Sequence, residues 1–117
     1  MAMDAGRIEE AVALFEQSTA VSPHFKTLEL LGECLIALGR LQSAIIPLAA
    51  AATLNNGSRA PALLTGVFLQ MNQAYDAERM VEIALNRDPA NKKALTVKDA
   101  LAVAKIDRQG SGENDTD

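Results

Sequence analysis

The sequence predicts an all-α fold of about six helices, arranged as antiparallel hairpins stacked on one another. Three observations predict it. Ala and Leu occupy 36 of the 117 positions, 21 and 15 respectively, and both favour helix. Aromatic residues make up only 3% of the chain, and β-branched residues are sparse, which leaves little from which to build a sandwich or barrel. Side chains of matching type also return every 33 residues, the mark of a chain built from repeated supersecondary units.

Each helix has its own local signals. Ile8, Ala11, Val12, Phe15 and Thr19 recur at spacings of three and four and predict a first helix over 7–20. Ser22-Pro23 interrupts it, because the residue before proline disfavours helix. Leu28, Leu31, Leu35 and Leu38 share one face of a second helix over 25–38, closed by Gly39 as a C-terminal cap. A third helix over 41–54 stops at the turn signal Asn55-Asn56-Gly57-Ser58. A fourth over 59–71 ends near Asn72, and a fifth over 74–87 is closed by Asp88-Pro89. The sixth, over 91–106, has Ala94, Val97, Leu101 and Ala104 on one stripe and Lys92, Lys93, Lys98, Asp99 and Lys105 on the other side. Breaks this short make sequential helices antiparallel neighbours. Two residues fit poorly. Pro47 removes a hydrogen bond inside the third helix and predicts a kink. Gly66 costs the fourth about 1 kcal/mol relative to Ala. The segment 110–117 has no large apolar residue and carries three acids, so it is expected to be disordered. That leaves 1–109 as a single domain.

The 33-residue period aligns Gly6 with Gly39 and Asn72, all expected at helix breaks, and Pro23 with Asn56 and Pro89. It aligns Ala11 with Ala44 and Ala77, Phe15 with Leu48 and Val81, and Ser18 with Ala51 and Ala84. Leu31, Leu64 and Val97 form another column, as do Leu35, Phe68 and Leu101. The small residues have a physical reason. Where two helices of a hairpin approach closely, a longer side chain forces them apart or into strained rotamers.

Leu28, Leu31, Gly32, Leu35, Gly39, Ala44 and Leu48 stand at the spacings of the tetratricopeptide repeat. So do Gly6, Ala11, Phe15 and Pro23 before them, and Leu64, Phe68, Ala77, Ala84 and Pro89 after. Over about residues 2–106 the chain resembles that family. It departs from it in having Leu28, Leu35, Pro61 and Phe68 at the family's Trp and Tyr positions, Thr65 where Gly is usual, and a period of 33 rather than 34. The resemblance implies a right-handed superhelix of hairpins, with inner helices lining a concave groove that binds a peptide or partner protein. In this register 7–20 is the outer helix of a first unit whose inner helix is missing. The second unit spans 25–54, the third 59–87, and 91–106 is a capping helix with a charged outer face.

Composition excludes several other classes. One Cys cannot form an internal disulfide, and one His with one Cys cannot build a typical zinc site. The net charge of −4 gives no reason to expect nucleic acid. The longest apolar run, Ala44 to Leu54, contains Pro47 and is too short to span a membrane. The first residues lack the basic flank and apolar core of a signal peptide, so a cytoplasmic protein is expected. There is no phosphate-binding glycine loop, nucleophile elbow or paired carboxylate site, hence neither enzyme activity nor a cofactor is expected. His24 reads as a turn or helix-start residue, and Cys34 as a small buried hydrophobe.

Two surfaces are candidates for binding. The groove positions, counted in register, are Lys26, Glu29, Leu30, Glu33, Ile36, Ala37, Arg59, Ala62, Leu63, Gly66, Leu69 and Gln70. Glu29 and Glu33, one turn apart, form an acidic patch suited to Lys or Arg of a ligand, with Lys26 as an intrahelical partner. Cations and amides that clamp a C-terminal carboxylate in one subclass of the family are replaced here by Glu29, Glu33, Ala62 and Gly66, so that clamp is not expected. The alternative is a self-association module. Ala11, Leu14, Phe15 and Ser18 on the first helix would face the missing helix and could pair two copies as a homodimer. Charge suggests head-to-tail stacking as another geometry, since residues 4–21 carry −3 and residues 87–108 carry +3. The chain could equally be an excised piece of a longer array.

Overall fold

The computed structural model describes the backbone of residues 4–116 and the side chains of residues 4–104. Six helices follow in order: α1 (Ala5–Val21), α2 (Phe25–Ala37), α3 (Leu41–Leu54), α4 (Arg59–Gln70), α5 (Ala74–Arg87) and α6 (Lys92–Thr116). No strand occurs among the described residues, and no helix of theirs is long and apolar enough to cross a membrane. α2 pairs with α3 and α4 with α5 as hairpins, while α1 lies on α2, α3 on α4 and α5 on α6. The even helices also pack closely in series, α2 on α4 and α4 on α6, whereas the odd ones lie further apart and meet only through side chains. The result is an all-α solenoid with α2, α4 and α6 as its inner layer and α1, α3 and α5 outside.

Helix starts and stops have identifiable causes. The Asp4 carboxylate accepts the Arg7 backbone N–H at 2.9 Å and caps α1. Gly6, expected at a break, therefore lies within the first turn of α1. His24 caps α2 through its ring, Nδ1 accepting the Lys26 N–H at 3.2 Å. The α2–α3 and α4–α5 turns share one hydrogen-bond pattern. Gly39 N–H donates to Ile36 O and Arg40 N–H to Leu35 O; one repeat later Asn72 N–H donates to Leu69 O and Gln73 N–H to Phe68 O. Gly39 and Asn72 take positive φ, 76° and 59°, the left-handed conformation that closes a helix in this way. α3 runs through Pro47 without interruption. At the start of α6, Asn91 accepts the Ala94 N–H at 3.0 Å and donates to Ser58 Oγ at 2.8 Å, tying α6 to the head of α4. The α6 trace continues past the expected end at 106. The acidic terminus 110–117, expected to be disordered, lies outside the residues whose side chains are described.

The repeated columns form the core. Ala44, Leu48, Ala51, Ala77 and Ala84 are wholly or almost wholly buried, and so are Leu31, Leu64, Val97, Leu35 and Leu101. Leu48 packs with Val12, Leu31, Leu35, Leu64 and Val67 in the main apolar cluster; burying a side chain of this size is worth about 1.5–3 kcal/mol. The last hairpin joins α6 through Ala77, Val81, Val97 and Leu101. Gly32 is small for a definite reason. A Cβ there would lie 2.5 Å from Leu48 Cγ, well inside van der Waals contact. The next repeat has Thr65 at the Gly32 position and Val81 at the Leu48 position. Thr65 is fully buried, and its hydroxyl donates to Ala62 O at 2.6 Å.

A cation bridges the outside of the α3–α5 junction. The Arg87 guanidinium donates from Nη1 to the carbonyls of Ala52, Asn55 and Gly57 at 3.0, 3.1 and 3.2 Å. These carbonyls belong to the C-terminal turn of α3 and the loop after it, where a helix ends in unsatisfied, negatively polarised oxygens.

Candidate functional site

The inner helices bound a small hollow of about 210 Å³ on the concave face. Ile36 and Ala37 from α2 and Leu63, Gly66 and Val67 from α4 make an apolar floor, with Gln70 at the margin. Glu33 stands on one side and Lys93 of α6 on the other. The helical period puts these side chains together. Positions 33, 36 and 37 occupy the face of α2 opposite Leu28 and Leu31, which are committed to the core. Gly66 gives the hollow its depth. The Lys93 stem passes over it, and a Cβ at position 66 would meet Lys93 Cε at 3.2 Å and Nζ at 3.5 Å. A side chain at position 66 would have to move that lysine tip aside.

Electrostatics at the α2–α4 end differ from a bare acidic patch. Arg59 at the start of α4 reaches across to both carboxylates, with Nη2 2.6 Å from Glu33 Oε1 and Nε 3.7 Å from Glu29 Oε1. Glu29 is 7% exposed. Burial pushes its carboxyl above the usual range; Arg59 and Lys26 oppose that shift and Glu33 adds to it. The pair is thus already matched by a cation of the same chain, and Lys26 is not among its ion-pair partners. Burial also raises the Cys34 thiol, with Glu33 as a second cause; Cys34 is half-buried against the main core cluster.

The structure gathers Glu33, Ile36, Ala37, Leu63, Gly66 and Gln70 of the expected groove residues around one hollow. It places others elsewhere. Ala62 is 3% exposed and packs with Ala84 and Ala94 between helices. Leu69 packs against the last hairpin's cluster. Leu30 and Lys26 are exposed but do not line the hollow, and Arg59 serves the two glutamates. Lys93 was missed, because in sequence it reads as part of a solvated basic face. The available signal was Gly66, whose missing side chain leaves room for a neighbour from α6. On α1, Phe15 packs against the main core cluster and Ala11 is half-buried, while Ser18 is exposed and Leu14 is 64% exposed. Among the described residues no group of three or more His, Cys, Asp or Glu is placed to hold a metal ion.

Comparison with known proteins bears on this arrangement. A family profile of the tetratricopeptide repeat matches residues 2–59, from α1 to the first residue of α4. No curated protein matches the chain. Its fold is similar to that of the type III secretion translocator chaperone SycD of Yersinia enterocolitica, with a TM-score of 0.77 and 22% identity over 90% of this chain and 77% of that one. It is also similar to the Hsp90 co-chaperone Cns1 from Saccharomyces cerevisiae, with a TM-score of 0.79 and 22% identity. That match covers 96% of this chain but only 38% of Cns1. Profile, fold and the recurrence of buried positions at one offset agree, and the chain belongs to the tetratricopeptide-repeat-like family of helical-hairpin proteins.

Proposed function

We propose that the chain is a non-catalytic protein-interaction module that takes an extended or helical segment of a partner polypeptide across its concave face, without a cofactor. The observation that carries this reading is the hollow between α2, α4 and α6. Its floor is apolar, its depth comes from Gly66, and opposite charges flank it at Glu33 and Lys93. Such a site suits one small or medium aliphatic side chain as an anchor, with polar neighbours on the ligand to meet the two charges. Arg59 leaves little excess negative charge at the α2 end, so the ligand need not be basic there. The chaperone and co-chaperone whose folds it shares support a role in handling other polypeptides.

Selection of peptides from a random displayed library tests the reading. Gly66→Leu fills the hollow from its floor, and the only atoms near its Cβ are at the flexible tip of Lys93, so the fold should persist. Peptides selected by the wild type should lose at least tenfold in affinity on this variant and shift the amide resonances of Ile36, Leu63 and Gln70. Failure to select any peptide, or equal binding by Gly66→Leu, refutes it.

Self-association is a second reading, favoured by the exposure of Leu14 and Val21 on α1, at 64% and 88%. Pairing of α1 with α1 about a twofold axis would cover Ala11, Leu14 and Ser18. Sedimentation equilibrium should then show a dimer that Leu14→Glu converts to monomer; a monomer at all concentrations ends this reading.

A further inference from the structure

The outer side of the solenoid has two equivalent junctions, and one is much more open than the other. Between α3 and α5, one repeat along, Met80, Ile83 and Arg87 fill the space over Pro61 and Leu64, leaving about 290 Å³ open. Between α1 and α3 the corresponding residues, 33 places earlier, are Pro47, Ala50 and Leu54, over Leu28 and Leu31. They are shorter, and the cleft opens to about 620 Å³. Its walls are almost wholly apolar, and Ile46 and Leu54 on its rim are 78% and 55% exposed.

The charge of the cleft follows from the same comparison. Leu54 stands where Arg87 stands one repeat later, so no guanidinium reaches the end of α1. That helix has no basic residue in its last turn, and Glu16 on the cleft wall makes no ion pair among the described residues. α1 and α3 both lie antiparallel to α2, so the α1 C-terminus and Leu54 share one end of the cleft. A helix C-terminus carries partial negative charge and favours a cation. An apolar floor leading to a negatively polarised end therefore lacks what Met80, Ile83 and Arg87 supply at the narrower junction.

We propose that this convex cleft is a second docking site, distinct from the concave hollow, for a partner helix that brings two aliphatic side chains on one face and an Arg about one turn further on. The aliphatic groups cover Leu28, Leu31, Pro47 and Ala50. The guanidinium takes the place of Arg87 at the end of α1. From Ile46 to Leu54 the cleft runs about 12 Å at 1.5 Å per residue, which matches two turns of such a helix.

The test uses the full chain and a synthetic amidated peptide with Met, Ile and Arg at positions i, i+3 and i+7 of an Ala/Gln helix. Titration should shift the amides of Ala20, Ile46, Ala50 and Leu54. Replacing the peptide Arg by Glu should weaken binding at least tenfold. So should Leu54→Arg in the protein, which supplies the missing guanidinium in cis and leaves thermal stability equal or higher. Ile46→Glu, on a side chain that is mostly exposed, provides a second variant with the same expected loss should Leu54→Arg fold poorly. Gly66→Leu should leave this affinity unchanged, which separates failure here from failure of the concave reading. No binding, shifts confined to the concave hollow, or indifference to the Arg→Glu peptide overturns the proposal. Concentration-dependent dimerisation abolished by Leu54→Arg would also overturn it, by making a second copy the occupant.

Discussion

Gly32→Ala offers the sharpest check on the repeat geometry. The added Cβ would sit 2.5 Å from Leu48 Cγ, about 1 Å inside ordinary carbon contact. Leu48 is fully buried and hemmed in by Leu31, Leu35, Leu64 and Val67, so it cannot swing into solvent. Overpacking of this kind costs about 1–3 kcal/mol, and a tight site belongs at the upper end. Replacing Gly in a helix returns about 1 kcal/mol. The net loss is about 2 kcal/mol, a fall in Tm of about 8–16 °C at about 4–8 °C per kcal/mol. Leu48→Val alone should cost about 1 kcal/mol for the lost methylene and residual space. The double variant approximates the pairing that the next repeat achieves with Thr65 and Val81. It should therefore lose no more than Leu48→Val alone, a favourable coupling of about 2 kcal/mol in a double-mutant cycle read by thermal or urea unfolding. Gly39→Ala serves as the control. Nothing lies near its Cβ, but φ is 76°, so it should lose about 1 kcal/mol through backbone strain and show no rescue by Leu48→Val. Additivity of Gly32→Ala and Leu48→Val within about 0.5 kcal/mol would refute the assignment of equivalent positions.

Arg87→Ala removes a guanidinium shared by three backbone carbonyls and should cost about 1.5–3 kcal/mol, with Arg87→Lys recovering only part because the shorter side chain places its ammonium short of the Nη1 position; urea unfolding measures both. Glu29 has a folded-state pKa above its ordinary 4.5 because of burial, so the native state binds that proton more tightly than the unfolded chain. Stability from this group is therefore lost as pH rises from 4.5 through the folded-state value and is level above it. Glu29→Gln should remove that slope, so that the variant gains on the wild type across this window and no further beyond it, as read from urea midpoints at a series of pH values. Arg59→Gln should leave Glu29 and Glu33 uncompensated, lower Tm by a few degrees and increase the affinity of Lys-rich peptides for the concave face; a titration with oligolysine checks it.

Much of the fold is legible in the residues themselves. Apolar spacing and the breaks at Ser22-Pro23, Asn55–Ser58 and Asp88-Pro89 determine six helices. The left-handed positions Gly39 and Asn72, with Ala44, Ala77, Ala51 and Ala84, determine which faces meet, because these constraints are local or recur at one fixed offset. What the period could not reveal is what reaches across between helices. Arg59 neutralises Glu29 and Glu33 from 30 and 26 positions away. Lys93 leaves its own solvated face to lie over Gly66, and Thr65 is fully buried where the preceding repeat has Gly32. Ala62 turns from the groove into the interhelical packing. Only the tertiary structure decided, too, that one outer junction is bridged by Arg87 while the other, with Leu54 at the same register, opens wider. Each of these outcomes depends on the reach of a long side chain or the volume of a facing one, and such quantities exist only once the helices are at their packed distances.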